Sequence, residues 1–348
     1  MNDLILKVNG QKFEGWKQIS LRRSMESIAD IFELGVSDIW LDDYKKIKSG
    51  MPCTLWFGDD LMLTGYIDSV QPSYDATTHS VTLSGRAKTA DLVDCSLPLN
   101  EEQRNQYNNK TFYQVATILT RPFDIVVINN VDVVIDEKIR VQQIEKGQTV
   151  YEYLTEQARL HAVRLVCDEH GDLIVSRTSD ERIGTALVLG KNILSAEGEF
   201  SMVDRFSEYH TVAQMEMWDD NNGAASAHLA GISEDVAMRY RPTVLQVDNI
   251  TGKDKVQQFA EWTRNTQYGR SRQVTYTVSG WRHADGLWRT NTQVKVIDPW
   301  MGLDNIWMLI VEVQFVLDDK GQRTVLTLMP KAAMDLIPLP SDDQEAAW

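Results

Sequence analysis

The segment LMLTGYIDSVQPSYDATTHSVTLSGRAKTADLVDC, residues 61–95, predicts two antiparallel strands followed by an exit from the sheet. Apolar and polar residues alternate over residues 61–67 and again over residues 80–84, and this period of two is typical of half-buried strands. Residues 71–79 contain Pro, Asp and three hydroxyl residues, which is the usual composition of a hairpin loop. The alternation stops at residues 85–92, so we expect the chain to leave the sheet there.

Outside this hairpin, alternating segments recur along most of the chain, and three helix-start signals interrupt them. Thr111 with Gln114, and Thr149 with Glu152, have the spacing of a capping box and predict two short helices. A third helix of about 17 residues is predicted after Thr251, from a polar start followed by apolar residues at helical spacing.

The combined pattern predicts an α+β fold that is mainly β, with two small antiparallel barrel-like domains that each carry an insert. The expected parts are a first barrel (1–95 with 185–203), an α+β insert (96–184), a second barrel (204–248 with 272–331), a helical insert (249–271) and a C-terminal tail (332–348).

The composition limits the classes of partner. The 348 residues carry a formal net charge of −15, which argues against a protein that grips nucleic acid, because such proteins need clustered Lys and Arg. No apolar run reaches the ~18 residues of a membrane span, and the N-terminus lacks a basic segment followed by an apolar one. We therefore expect no membrane insertion and folding in the cytoplasm of the cell that makes the chain. The three widely spaced cysteines are expected to be buried reduced thiols.

The sequence offers little that indicates catalysis. Phosphate-binding glycine loops and the Gly-x-Ser-x-Gly nucleophile pattern are absent. His161, Cys167 and His170 form the one group of metal-type residues, but a fourth ligand is not evident, so we expect no metal site. Acidic pairs, which glycoside hydrolysis would need, fall in loops and turns where carboxylates are normally solvated. We therefore expect no catalytic residue and no cofactor.

Ten residues are candidates for contacts with other subunits or partners. The basic residues at 22–23 and 86–88 fit either barrel-surface charge or a subunit contact. Arg239 and Arg241 flank Tyr240, which would suit stacking on nucleic acid, although a local ion pair or a subunit contact is favoured. Tryptophans in or beside loops fit either interfaces or simple packing. The candidates are Arg22, Arg23, Arg86, Lys88, Trp218, Arg239, Tyr240, Arg241, Trp288 and Trp300.

Several longer motifs carry a family resemblance. The strand GYIDS at residues 65–69 is followed by SGRAKTADLVDC at residues 84–95. The Gly-Trp strand and the FELGV strand within residues 15–36 form a gap-free match, and DRFSEY at residues 204–209 and RYRP at residues 239–242 extend the similarity. These motifs resemble the tail baseplate hub proteins of Mu-like phages, a family related to the hub part of type VI secretion spike proteins.

The resemblance implies a homotrimer in which the two barrel-like domains of each chain alternate around an axis. Six similar barrels would form a ring that adapts a six-fold tail tube to a three-fold central spike, in contact with other baseplate proteins. Phage DNA would pass non-specifically through the bore, and an acidic lining would repel its phosphates. The resemblance also implies a non-enzymatic protein of the virion tail baseplate that is assembled in the host cytoplasm.

An alternative from a different class stays open on the sequence. The α+β insert at residues 96–184 could make the chain a tail protein that binds or hydrolyses cell-wall peptidoglycan. A hub that carries a secreted effector would instead need a fused β-helix or toxin domain, and no such segment is seen in the 348 residues.

Overall fold

The structure is a computed structural model that describes residues 4–37, 44–96, 109–131, 147–217, 225–247 and 253–335. The candidate residue Trp218, the acidic pairs at residues 42–43 and 219–220, and the tail beyond residue 335 lie outside these ranges.

Strands make up most of the regular structure. They are β1 (Leu4–Val8), β2 (Gln11–Phe13), β3 (Gln18–Ser24), β4 (Ile31–Ser37), β5 (Pro52–Phe57), β6 (Asp60–Tyr74), β7 (His79–Ala87), β8 (Val127–Asn130), β9 (Arg164–Cys167), β10 (Leu173–Ser176), β11 (Leu187–Val188), β12 (Ile193–Glu199), β13 (Glu208–Met217), β14 (Ala225–Glu234), β15 (Pro242–Val247), β16 (Gln273–Ser279), β17 (Arg282–His283), β18 (Gly286–Leu287), β19 (Gln293–Asp298), β20 (Leu303–Asp318) and β21 (Gly321–Met329). The helices are α1 (Ala90–Asp94), α2 (Phe112–Thr120), α3 (Val150–Leu160) and α4 (Lys253–Arg270).

Both predicted capping boxes are confirmed. The Thr111 hydroxyl accepts a hydrogen bond from the Gln114 amide at the start of α2, and the Thr149 hydroxyl accepts one from the Glu152 amide at the start of α3. In each case the side chain at the third helical position accepts a bond from the cap residue's own amide, so two otherwise unpaired donors are satisfied. None of the helices in the described part of the chain has the length and apolarity that a membrane span requires.

A single 13-stranded sheet dominates the fold. Its strands run in the order β12-β16-β21-β20-β3-β4-β7-β6-β5-β1-β2, with β19 beside β20 and β11 beside β19. Strands β1 to β7 form a first β set, and β11, β12, β16, β19, β20 and β21 form a second β set. The two sets meet where β3 pairs antiparallel with β20. Across this seam Leu21 lies opposite Phe315, and both side chains belong to the same buried hydrophobic cluster.

The hairpin at residues 60–87 is confirmed and is longer than predicted. Strand β6 continues to Tyr74, so the turn is confined to residues 75–78. One carboxylate oxygen of Asp75 accepts hydrogen bonds from the amides of Thr77 and Thr78 and closes this turn. Gly65 lies where β6 approaches β7 so closely that a Cβ atom would be 1.9 Å from the Arg86 carbonyl oxygen.

The α+β insert forms its own small sheet, in the order β8-β10-β9, with α2 and α3 packed against it. Its core also includes Ile28, from the connection between β3 and β4, and Leu92 of α1, which follows β7. A third sheet, in the order β14-β13-β15, is covered on one face by α4. The predicted α+β class, mainly β, is confirmed. Barrel closure and the domain boundaries stay predictions.

Candidate subunit and partner surfaces

The candidates Arg22 and Arg23 lie beside the seam between the two β sets. Arg22 on β3 pairs with Glu312 on β20, with 2.8 Å between the guanidinium and carboxylate. Arg23 points the other way and donates a hydrogen bond to the Met62 carbonyl, and its Nε lies 3.1 Å from a carboxylate oxygen of Asp30. Asp30 is buried, and burial raises the pKa of its carboxyl to about 7 despite the neighbouring guanidinium.

Arg86 and Lys88, at the exit of β7, hold chain segments together. The Arg86 guanidinium binds both carboxylate oxygens of Asp94, at 3.1 and 2.7 Å, and one oxygen of Asp68 at 2.6 Å. The hydrogen bonds from Arg86 hold the pKa of Asp94 below its usual value. The Lys88 ammonium donates to the Asp124 carbonyl at 3.0 Å, so it ties the first β set to the α+β insert.

The motif at residues 239–241 combines one anchored side chain with two exposed ones. Arg241 donates to the Met202 carbonyl at 2.5 Å and to the Val203 carbonyl at 2.9 Å, and its guanidinium lies 5.1 Å from the centre of the Phe206 ring. Arg239 is exposed, and the Tyr240 side chain is 79% exposed. Arg241 therefore fixes the loop that presents Tyr240 to solvent.

A buried ion pair between Arg205 and Asp235 lies next to this loop. The sequence analysis did not predict this pair. Arg205 binds both carboxylate oxygens of Asp235, at 2.6 and 3.0 Å, and the two side chains are 1% and 2% exposed. The Asp235 amide also donates to the Ser207 carbonyl at 2.9 Å. The sequence did mark Arg205 as part of a family motif, but nothing local to it indicates a partner 30 residues away.

The third sheet has an open apolar face on the side away from α4. Val212, Ile232 and Val244 lie on it with exposed fractions of 41%, 49% and 67%. The register places Ile232 and Val244 on either side of His210. Contiguous exposed apolar residues of this kind indicate an interaction surface. The sequence feature that could have indicated this face is the strand at 208–217, which has apolar residues on both of its faces.

The two described tryptophan candidates differ in exposure. Trp288 is 3% exposed and therefore buried, and the centre of its ring lies 4.8 Å from the centre of the His283 ring. Trp300 is 84% exposed, on a short 3₁₀ turn at Pro299–Met301. A carboxylate oxygen of Asp298 accepts from the Trp300 amide at 3.1 Å and fixes this turn. Trp300 and Tyr240 are thus the exposed aromatics among the candidates that the structure describes.

The metal-type residues do not form a metal centre in the part of the chain that the structure describes, where no three His, Cys, Asp or Glu groups are arranged to hold an ion. The His161 ring lies 5.6 Å from Phe112, and the Cys167 thiol donates to the Asp168 carbonyl at 3.1 Å. Burial raises the pKa of the Cys167 thiol, which leaves it a poor metal ligand and a poor nucleophile. Of the acidic pairs at residues 59–60 and 318–319, Asp60 forms an ion pair with Arg282 and Asp318 forms one with Arg323.

Three family models match separate parts of the chain. Residues 3–87 match the N-terminal part of the GpP-like Mu phage baseplate assembly proteins. Residues 89–177 match the second domain of gp44-like baseplate hub proteins, and residues 252–337 match the fourth domain of the Mu phage baseplate assembly protein GpP.

Individual phage and prophage tail proteins match the chain over nearly its whole length. The chain is 31% identical to the baseplate hub protein gp44 of Escherichia phage Mu, over 98% of this chain and 91% of that protein. The 43 kDa tail protein of prophage MuSo2 from Shewanella oneidensis is 36% identical, with a TM-score of 0.85 over 96% of this chain and 100% of that one. The tail protein from Neisseria meningitidis MC58 is 23% identical, with a TM-score of 0.81 over 97% and 99%.

The fold extends to a more distant protein. A type VI secretion system component of E. coli has a TM-score of 0.60 over 96% of this chain and 80% of that one, at 12% identity, which shows a shared fold alone. The near full-length identity to the phage Mu protein, together with the family models over residues 3–87, 89–177 and 252–337, shows the family itself. This chain belongs to the family of baseplate hub proteins of Mu-like phage tails.

Proposed function

We propose that three copies of the chain form a ring at the centre of a contractile-tail baseplate, which joins a six-fold tail tube to a three-fold spike. The proposal rests on one observation, the edge-to-edge pairing of two β sets in one chain through β3 and β20. Each chain contributes two such sets, so three chains present six of them around an axis. The symmetry mismatch is then resolved by geometry alone, without a catalytic step.

We further propose which parts of the chain form the wall of the ring. The first β set lies within the proposed first barrel (1–95 with 185–203), and β16 and β19–β21 of the second set lie within the proposed second barrel (204–248 with 272–331). Strands β11 and β12, which the first barrel was expected to include, pair with the second set, and β13–β15 form the separate third sheet. The inserts at 96–184 and 249–271 are proposed to lie outside the ring wall. The seam is held by the antiparallel pairing of β3 with β20 and by the Arg22–Glu312 ion pair. A rigid seam keeps the two sets of one chain in a fixed relative orientation, which a closed ring requires.

The exposed aromatics support a choice of contact surfaces. Tyr240 and Trp300 are 79% and 84% exposed, and hydrogen bonds of the Arg241 side chain and of the Trp300 backbone amide fix the backbone that carries them. Large exposed aromatic side chains on a fixed backbone offer much apolar contact area, so they are well suited to a subunit interface. Tube, spike and other baseplate proteins would contact the remaining surfaces of the ring.

Phage DNA would pass through the bore without being held. The net charge of −15 is consistent with a conduit that repels phosphates rather than one that binds them. The chain would assemble in the host cytoplasm and remain in the virion.

The α+β insert is proposed to be structural. Its buried apolar residues form one core with Ile28 and Leu92, and Lys88 anchors it to the first β set. Incubation of the purified full chain with peptidoglycan should give neither release of soluble fragments nor co-sedimentation. Cleavage or co-sedimentation would favour a cell-wall function instead.

Electron cryomicroscopy of the purified chain tests the ring itself. The expected particle has three-fold symmetry, with six β sets surrounding an open bore. Particles without three-fold symmetry, or a bore closed by protein, would contradict the proposal.

A further inference from the structure

Three arginines, Arg159, Arg164 and Arg270, line one cavity of the structure, and the proposed hub function assigns no role to it. The cavity has a volume of about 110 Å³ and is lined by Glu26, Thr155, Arg159, Arg164, Trp262 and Arg270, among others. Its walls come from the turn after β3, from α3 and β9 of the insert, and from α4. The cavity therefore lies where the large sheet, the insert and the long helix meet.

The charges around the cavity are not balanced by the described side chains. Arg270 pairs with Glu26 at 2.8 Å. Within the described residues, Arg159 and Arg164 have no carboxylate at ion-pair distance. The three guanidinium groups that line the cavity therefore face one lining carboxylate, Glu26, and the Asp335 carboxylate also acts on Arg164 from nearby. Arg159 and Arg270 are exposed, and both positive charges act on the buried Arg164, so a bound anion would offset the repulsion among the three.

Arg164 is the central group of the cluster. Its guanidinium stacks 4.5 Å from the centre of the Trp262 ring, and its Nη2 donates a long bond of 3.4 Å to the Ala333 carbonyl. Its Nε is buried and has no hydrogen-bond partner, and the same is true of the Thr155 hydroxyl. Burial lowers the pKa of Arg164 to about 10, so the group is still charged at neutral pH. Buried donors left unpaired are costly, and these two border the same cavity.

We propose that this cavity, named here the arginine pocket, binds one oxyanion of carboxylate or phosphate size. The planar fork of a guanidinium matches both groups, and the Thr155 hydroxyl adds a neutral donor. An anion held by residues of the sheet, the insert and α4 would lock these three parts together. It would therefore stabilise the arrangement that the hub needs, without taking part in any reaction.

The oxyanion can come from solution or from the chain itself. Residues 336–348 follow directly on the segment that Arg164 contacts at Ala333, and they contain the carboxylates of Asp342, Asp343 and Glu345. A free phosphate and one of these carboxylates would use the same guanidinium groups, so the experiment has to separate the two sources.

Calorimetric titration of the full chain with inorganic phosphate is the direct test. In a chain whose pocket is not already filled by its own tail, one site per chain is expected, with a dissociation constant of about 1 mM or below. The substitution Arg159→Gln should weaken binding at least about tenfold, since it removes a charged donor. Glu26→Gln should strengthen binding several-fold, because it removes the competing carboxylate and its repulsion. The exposed Arg121→Gln, on the same insert but away from the pocket, is the matched control and should leave binding unchanged.

A second chain variant identifies the source. In the triple variant D342N/D343N/E345Q the tail carboxylates are neutral. If phosphate binds the wild type and this variant equally, the pocket takes a free oxyanion. If phosphate binds only the triple variant, and Arg159→Gln in that background abolishes binding, the pocket is filled by the tail. The proposal is overturned if neither protein binds phosphate, or if Arg159→Gln and Glu26→Gln leave the affinity unchanged.

Discussion

At the scale of single residues, the Arg205–Asp235 pair is an ion pair whose two side chains are almost completely buried. Both charges are withdrawn from water, and their mutual attraction has to offset two desolvation costs. The geometry is favourable, because two guanidinium nitrogens meet two carboxylate oxygens and the Ala237 amide donates to the same carboxylate at 3.3 Å. The pair fixes the start of the third sheet beneath the loop that presents Tyr240.

Breaking this pair should cost far more than breaking an exposed one. Arg205→Met leaves the Asp235 carboxylate buried without its partner, so we expect a loss of about 3–5 kcal/mol in the free energy of unfolding. The control Arg22→Ala removes the half-exposed pair with Glu312 and should cost about 1 kcal/mol or less. Urea denaturation of both variants measures the difference. Similar losses in the two variants would mean that the buried pair is not a stabilising anchor.

Asp30 gives the chain a pH dependence that the sequence did not indicate. Its carboxyl has a pKa of about 7 in the folded chain, against an ordinary value of 3.8, because burial disfavours the charged form. Between these two values the folded chain holds a proton that the unfolded chain has lost. Unfolding then releases a proton, so stability falls as the pH rises through this range.

The substitution Asp30→Asn should remove this dependence. We expect the free energy of unfolding of the wild type to decline relative to that of Asp30→Asn between about pH 4 and pH 7, by up to about 4 kcal/mol. Urea denaturation at several pH values across this window measures the gap between the two proteins. A gap that stays constant with pH would show that Asp30 titrates at its ordinary value.

At the scale of elements, the β6–β7 hairpin has two features that restrict which residues the first β set accepts. The strands cross closely at Gly65, where only a residue without a Cβ atom fits against the Arg86 carbonyl. A bulge between Ile67 and Ser69 changes the register just beyond this point. The sequence predicted the two strands from their alternation. The alternation of apolar and polar residues predicts neither the close crossing nor the bulge.

Gly65→Ala tests the close crossing. Since the added methyl group would overlap the Arg86 backbone, we expect a loss of at least about 2 kcal/mol in the free energy of unfolding, or failure to fold. Gly35→Ala in β4 is the matched control, because its Cβ atom would lie 3.1 Å from the nearest atoms of the Gln18 side chain, against 1.9 Å from a backbone oxygen at Gly65. Its cost should stay within about 1 kcal/mol. Equal behaviour of the two variants in thermal unfolding would contradict the geometry.

Elements whose signals are local could be predicted, and those assembled over long separations could not. The capping boxes of Thr111 and Thr149 need only three residues each, and both are confirmed. The seam pairs residues 19–24 with residues 312–317, and no local pattern specifies that register. The arginine pocket is built from four segments spread between residues 25 and 270 for the same reason. The contact residues were chosen by residue type, so their exposure became known only from the structure.

At the scale of the whole molecule, we expect the chain to form a trimer with the exposed side chains of Tyr240 and Trp300 in its interface. Tyr240→Ser and Trp300→Ser should each raise the concentration at which the assembly half-dissociates, by about tenfold or more, if these aromatics lie in the interface. Tyr74→Ser is the matched control, because Tyr74 is 81% exposed and is not a candidate contact residue. Sedimentation velocity over a dilution series measures the effect. No shift in either variant would remove Tyr240 and Trp300 from the interface.

The solution mass of the purified chain, measured by light scattering, tests the central claim most directly. One chain has a mass of 39.7 kDa, and the account predicts a particle of three times that mass at micromolar concentration. Such a particle should keep its mass as phosphate is varied, since the arginine pocket lies within one chain. A particle of 39.7 kDa at every concentration up to on the order of 100 µM would contradict the trimeric ring.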